Sequence, residues 1–137
     1  MNASQSRVSL TDLWLGRLLG AFVVLCLLVD AGINVFLPHL LAGNLARIGF
    51  PVDLTPIIGG VLFVCLLLYM IPSTSVLGAV LMTAFLGGAI CAHLRIGEIG
   101  SPPQLISVLL GIAAWVSLYL RNGHVRGLLP LFTRSRA

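Results

Sequence analysis

Four runs of apolar residues, at about 14–37, 56–71, 74–93 and 103–120, occupy most of this chain and limit what it can become. A helix needs roughly 20 apolar residues to cross the hydrocarbon core of a bilayer, and each run approaches that length. In lipid every backbone N–H and C=O must find its partner within the protein, so a span of this kind is helical. Composition agrees: 58% of the 137 residues are hydrophobic and only 9% are charged, against about 25% charged in a soluble domain. The prediction is one domain over residues 1–137, an all-α integral membrane four-helix bundle with a basic tail at 121–137.

The net charge of +4 raises the question of nucleic acid, and the placement of the arginines answers it. Arg7 and Arg17 flank the first run, while Arg121, Arg126, Arg134 and Arg136 follow the last; only Arg47 and Arg95 lie in the loops on the other side. By the positive-inside rule both termini are cytoplasmic, as an even number of crossings requires, and the lipid bilayer rather than nucleic acid is the partner. Trp14, Tyr69, Trp115 and Tyr119 then fall toward the cytoplasmic interface. The first run is too long for a typical signal-peptide core, so it is expected to stay. Cys26, Cys65 and Cys91 sit singly within apolar runs and read as small buried side chains.

The stretch 69–97, YMIPSTSVLGAVLMTAFLGGAICAHLRIG, presents small residues on two opposed faces when projected as a helix. Small side chains let backbones approach where no hydrophobic effect drives helices together. This stretch is therefore expected to be the central helix of the bundle, with Ala84, Gly87 and Gly88 at helix contacts. Gly16-x-x-x-Gly20 on the first helix suits close packing in the same way, on the face that also carries Asp30 and Asn34. The loop over 38–55 has room for a short interfacial helix at about 40–48.

Ionisable groups inside membrane segments are costly and mark candidate functional sites. With both termini inside, the first and third helices run outward, so Asp30, Asn34, His93, Arg95 and Glu98 reach one leaflet. They form the candidate ligand-binding set, and the outer loop adds His39, Arg47 and Asp53. Three readings stay open. Asp30 pairs with His93 or Arg95 and locks two helices; or the cluster is a pocket for a ligand or redox partner; or Asp30 couples proton movement to transport, since burial and a neighbouring cation act in opposite senses on a carboxyl group. No catalytic residue set, zinc spacing or phosphate loop is evident, and Cys91 lies about 160° around the helix from His93. The chain does not read as an enzyme on its own.

The run L-Y-x-x-P-x-T-x-x-L-G-A over 68–79, followed by T-x-x-L-G-G-A-x-x-x-H-x-R over 83–95, resembles the DoxX-like family of small bacterial membrane proteins. Gly-Phe-Pro at 49–51 fits the same pattern. The resemblance implies a protein of the inner (cytoplasmic) membrane. The wider family's namesake is a membrane subunit associated with thiosulfate:quinone oxidation, and other members are linked to redox defence or to membrane-protein assembly. It thus implies a non-catalytic subunit or scaffold, with a redox protein, another membrane protein or a second copy of the chain as partner, and a quinone as the one cofactor-like ligand. Three positions depart from the pattern: Asn34 stands where a basic residue is frequent, Ser73 where arginine is, and Phe85 where tyrosine is.

Overall fold

The computed structural model describes residues 9–128. Six α-helices follow one another: α1 (Leu10–Phe36), α2 (Pro38–Ile48), α3 (Thr55–Met70), α4 (Ser75–Arg95), α5 (Pro102–Arg121) and α6 (Gly123–Leu128), with a single 3-10 turn (Val52–Leu54) leading into α3. No strand occurs among the described residues. Four segments are long and apolar enough to cross a membrane: Leu10–Phe36, Val52–Met70, Ser75–Arg95 and Pro102–Arg121. The chain is a multi-pass membrane protein built as a four-helix bundle.

The spans pack in a ring in the order α1, α3, α4, α5 and back to α1. Contrary to the expectation from its small residues, α4 is not central; it touches α3 and α5 and stands diagonally from α1. A ring gives every span two neighbours, so two small-residue faces do not require a middle position. The first helix begins at Leu10, about four residues before the start expected at 14, because Leu10 and Leu13 continue the helical run and Leu13 donates to the Ser9 carbonyl at 3.0 Å.

The proximal end, where α1 begins and α5 finishes, is tightly closed. A Cβ placed on Gly16 would come within 2.9 Å of the Leu120 Cβ, and one on Gly20 within 2.6 Å of the Ser117 Oγ. These two glycines therefore let α1 lie directly on α5. Ser117 exploits the approach by donating to the Gly16 carbonyl at 2.8 Å. Tyr69, from α3, reaches across the diagonal and donates toward the Ala114 carbonyl at 2.9 Å and the Ser117 Oγ at 3.1 Å. Its ring is 1% exposed, with the Arg121 guanidinium 4.7 Å from the ring centre. Tyr69 is thus a core residue rather than the interfacial one its position near a span end suggested. A polar atom that finds partners inside the bundle is cheaper to bury than one left to lipid. Gly78 brings the start of α4 against the Tyr69 backbone, where a side chain would collide.

Beyond α5, α6 folds back under the bundle. Val125 is buried, and Arg126 pairs with Asp12 at 3.1 Å, so this part of the basic tail docks on protein. The expectation for Arg7, Arg134 and Arg136 lies outside the described residues. Of the three cysteines Cys65 is buried, Cys26 is half-buried and Cys91 faces outward, which corrects the expectation that all three are buried.

The distal end is different. The buried residues of α4 are Ser75, Gly78, Ala79, Met82 and Leu86, and none follows Leu86. In α5 the deep burial is again proximal, at Ala114, Ser117 and Leu118, with Gln104 alone near the other end. There α1 and α3 stay in contact, because Gly59 lets the α3 backbone approach Ala31 and Asn34; a Cβ on Gly59 would lie 2.8 Å from the Ala31 carbonyl oxygen. The α4 side of the ring has no such contact with α1. The bundle opens toward its distal end, and α2 lies over the opening.

Candidate functional site

The opening is a cavity of about 520 Å3. One wall is Asp30 and Asn34 of α1. The facing wall is Ala84, Phe85, Gly88, Ala89, Ala92 and His93 of α4, with Ile58 and Pro103 at the sides. Leu41, Asn44, Leu45, Arg47 and Ile48 of α2, with Phe50 after it, form the roof. The cavity exists because α4 carries alanine and glycine where it faces α1, so no side chain fills the space between diagonal helices.

This changes the role of two residues predicted to pack helices. Ala84 and Gly88 line the cavity, and a Cβ on Gly88 would meet nothing within 4 Å. Gly87 also meets nothing; it lines a second, almost wholly apolar groove of about 500 Å3 between α4 and α5, whose floor includes Gly111 and Trp115. Small residues allow close approach, but only a neighbour placed within reach turns that allowance into contact. Within the chain Gly16 and Gly20 have such a neighbour. Gly87 and Gly88 do not.

The five polar residues expected to share one leaflet fall into three positions. Asp30, Asn34 and His93 line the cavity. Glu98 lies beside it and meets two basic side chains: Arg47 of α2 forms an ion pair with it, and His93 Nδ1 lies 2.6 Å from its Oε2. Arg95 points to the roof and donates to the Ile48 carbonyl. Asp30 has no Arg or His within ion-pair distance among the described residues; its nearest polar partner is the Asn34 amide, which donates to the Asp30 backbone carbonyl at 2.9 Å and lies 3.5 Å from Oδ1. Of the three readings open from sequence, the α1–α4 ion pair is not formed among the described residues. Each base has found a nearer acceptor at the end of α4 or α2, and Asp30 faces the cavity from the opposite wall.

Local backbone geometry explains those pairings. Gly97 adopts φ 79, the left-handed conformation glycine takes without a Cβ penalty. It ends α4 with a paired turn in which the Glu98 N–H donates to the His93 carbonyl at 3.2 Å and the Gly97 N–H to the Leu94 carbonyl at 3.0 Å. This turn brings Glu98 back beside His93. The same device ends α2: Gly49 has φ 74, and the Phe50 N–H donates to the Leu45 carbonyl at 2.9 Å. It places Phe50 under the roof. At the start of α5 the Ser101 N–H donates to the Gln104 Oε1 at 3.1 Å, and the Gln104 amide lies 3.4 Å from the Ile90 carbonyl of α4.

Chemically, the cavity offers a carboxyl group and the Asn34 amide on one wall, an imidazole on the other, Asn44 and Arg47 in the roof, and mostly hydrocarbon elsewhere. With its Nδ1 held by the Glu98 carboxylate, His93 has Nε2 left for any other partner. Among the described residues no three His, Cys, Asp or Glu side chains are grouped as metal ligands. His39 and Asp53 stay on the exposed surface. Sequence reasoning gave no role to Leu41, Asn44, Leu45 and Ile48. Their spacing at i, i+3, i+4 and i+7 is the mark of one face of an amphipathic helix, the signal in the sequence that points to them.

A family model described as the DoxX-like family matches residues 18–117, which takes in every residue of the cavity. Among curated proteins and among solved structures, nothing matches the chain.

Proposed function

From the premise that this chain belongs to the DoxX-like family, we propose that it is a non-catalytic membrane subunit or scaffold whose distal cavity holds a small amphiphilic ligand, quinone-like in form, on behalf of a redox partner. The observation that carries this reading is that Asp30 and His93, on spans that stand diagonally across the ring, face one cavity whose other lining is mostly apolar, with Asn34, Asn44 and Arg47 as its further polar groups. Small-molecule sites have this character: a mainly apolar hollow with a few polar groups that fix orientation. A flat molecule with an acceptor or hydroxyl at each edge matches a carboxyl and an imidazole on opposed walls. Any electron transfer would come from the ligand and the partner, since the chain supplies no redox centre of its own in this reading.

The surrounding assignments follow from charge. We place the protein in the inner membrane with both termini cytoplasmic, because the arginines gather at the proximal end, and the cavity then opens in the outer leaflet. The groove lined by Gly87 is where we place contact with a partner protein or a second copy. Transport coupled to protons through Asp30 is the second reading, favoured by the absence of a cation beside that carboxyl among the described residues.

Thermal unfolding of the purified full chain in detergent, with and without a short-chain benzoquinone, tests the ligand reading. A ligand present at a hundred times its dissociation constant stabilises by about 2.7 kcal/mol, and Asp30→Asn or His93→Gln should reduce that gain while leaving the unliganded protein folded. If quinone, quinol and a panel of neutral and charged amphiphiles all leave the unfolding temperature where it was, the ligand reading fails. Flux of a substrate into proteoliposomes driven by a pH gradient, and lost in Asp30→Asn, would favour transport instead.

A further inference from the structure

From the roof of the cavity we infer that α2 is a lid, that Arg47 and Glu98 are its latch, and that Glu98 is a positioning residue joining lid closure to the orientation of His93. This rests on the reading of the cavity as a ligand site, and it concerns how that site is closed.

The first observation is the way α2 is attached. A single residue, Leu37, separates it from α1, with φ −132 and ψ 48, outside the helical region. At its other end Gly49 turns the chain in the left-handed conformation before Pro51. A helix bounded by one non-helical residue and a glycine turn can rotate as a body, because few dihedral angles need change. One face, from Leu41 to Ile48, covers the cavity, while His39, Leu40, Gly43 and Ala46 are exposed on the other.

The second observation is where α2 is held. Its tethers across the bundle are the Arg47–Glu98 ion pair and the bond from Arg95 to the Ile48 carbonyl, and both lie at its C-terminal end, away from Leu37. A helix pivoting on Leu37 and Gly49, with its polar fastenings gathered at the Gly49 end, has the arrangement of a lid. The Arg47 side chain is 62% exposed, and exposed ion pairs are weak. The latch is therefore strong enough to bias the closed form and weak enough to let a ligand pass.

The third observation is that one carboxylate serves both sides. Glu98 takes Arg47 from the lid and His93 Nδ1 from the cavity wall. While it is ionised, it fixes the ring so that Nε2 is the nitrogen a ligand can meet. Opening the lid removes one of its two partners, so lid and imidazole are coupled without a direct contact between them.

The test uses the full chain in nanodiscs, with Cys26, Cys65 and Cys91 replaced by alanine and Ala89→Cys as a reporter inside the cavity. A small maleimide is the probe. Arg47→Glu and Glu98→Arg should each raise the labelling rate roughly two- to fivefold, the population change that loss of an exposed ion pair gives. The double exchange should return it to the parent value. Unchanged rates in both single variants overturn the lid, and a double variant as fast as the singles overturns the latch. A second readout isolates positioning: in ring-15N-labelled protein Glu98→Gln should shift the His93 Nδ1 signal, and Arg47→Gln, which opens the lid and takes one partner from Glu98, should shift it in the same direction by less. An unmoved signal in Arg47→Gln overturns the coupling of lid to imidazole. An unmoved signal in Glu98→Gln overturns the positioning role. No ligand enters either measurement, so failure of the ligand reading leaves these results standing, and the reverse holds.

Discussion

His93 and Glu98 lie five residues apart, and their side chains meet at 2.6 Å because a single left-handed glycine, Gly97, folds the chain back over the end of α4. Both side chains are largely shielded, His93 at 14% and Glu98 at 21% exposure. The consequence of the pair is geometric, since it settles which nitrogen of a cavity-lining histidine is occupied and leaves the other for chemistry across the cavity.

Gly97→Ala tests that geometry. A Cβ in the left-handed region costs about 1 kcal/mol, so the variant is expected to unfold a few degrees earlier. The larger effect should be local: the paired turn loosens, Glu98 leaves His93, and the His93 ring signals in 15N spectra move toward those of Glu98→Gln. Gly97→Asn, which tolerates the conformation better, should do less of both.

Gly20 and Gly88 give a contrast that separates contact from void. Gly20→Ala forces a Cβ to within 2.6 Å of the Ser117 Oγ, and overpacking of this kind typically costs about 1–3 kcal/mol. Gly88→Ala meets nothing, so its unfolding in detergent should match the parent or exceed it slightly, as removal of a mid-helix glycine allows. Gly88→Leu should also fold, and it should fill the cavity and abolish whatever ligand stabilisation the parent shows. Equal losses in Gly20→Ala and Gly88→Ala would contradict the packing described above.

Tyr69→Phe removes the hydroxyl that links α3 to α5 across the diagonal. Two bonds are lost, at 2.9 and 3.1 Å, yet the Ala114 carbonyl keeps its helical donor and Ser117 keeps Gly16. The expected cost is about 1 kcal/mol, read as a lower midpoint on unfolding by denaturing detergent. Ser117→Ala should cost at least as much, because it removes the group bonded to both Gly16 and Tyr69.

At the proximal end, a double-mutant cycle on Asp12 and Arg126 should give a coupling of about 0.2–1 kcal/mol that fades as salt is raised. Asp12 is 37% exposed on its side chain, and solvent screens the pair. Arg126→Ala alone should cost more than Asp12→Ala, since Arg126 also donates to the Tyr119 and Leu120 carbonyls at 2.8 and 3.0 Å and lies over the Tyr119 ring.

A topology measurement bears on the orientation proposed here. A fluorescent protein fused after Ala137 should fluoresce, and a phosphatase inserted at Gly100 should be active, since one requires the cytoplasm and the other its exterior. The opposite pair of results would place the cavity on the cytoplasmic side and move the ligand reading with it.

Much of this protein was settled by its letters. Four long apolar runs with so few charges admit only spanning helices, because lipid offers no partner for an open backbone. The positions of Pro72, of Pro102 and Pro103, and of the glycines at 49 and 97 mark where those helices stop and start. The likeness over 68–95 to the DoxX-like pattern pointed to the family whose model matches 18–117. Even the gathering of Asp30, Asn34, His93, Arg95 and Glu98 at one end follows from counting crossings.

What the letters left undecided was distance. Glycine and alanine read the same whether a neighbouring helix lies against them or stands off, so Gly20 became a contact while Gly88 became the wall of a hollow. The difference arises from the ring as a whole: Tyr69 and Ser117 draw the proximal halves together, Gly59 holds α3 to α1, and the distal part of α4 has nothing to draw it in. Partner choice was decided the same way. His93 and Arg95 took the acceptors that two glycine turns brought within reach, Glu98 and the Ile48 carbonyl, and so Asp30 was left on the opposite cavity wall from His93. Sequence names the groups that share an end of the bundle, but only the packed backbone fixes which of them are close enough to bond.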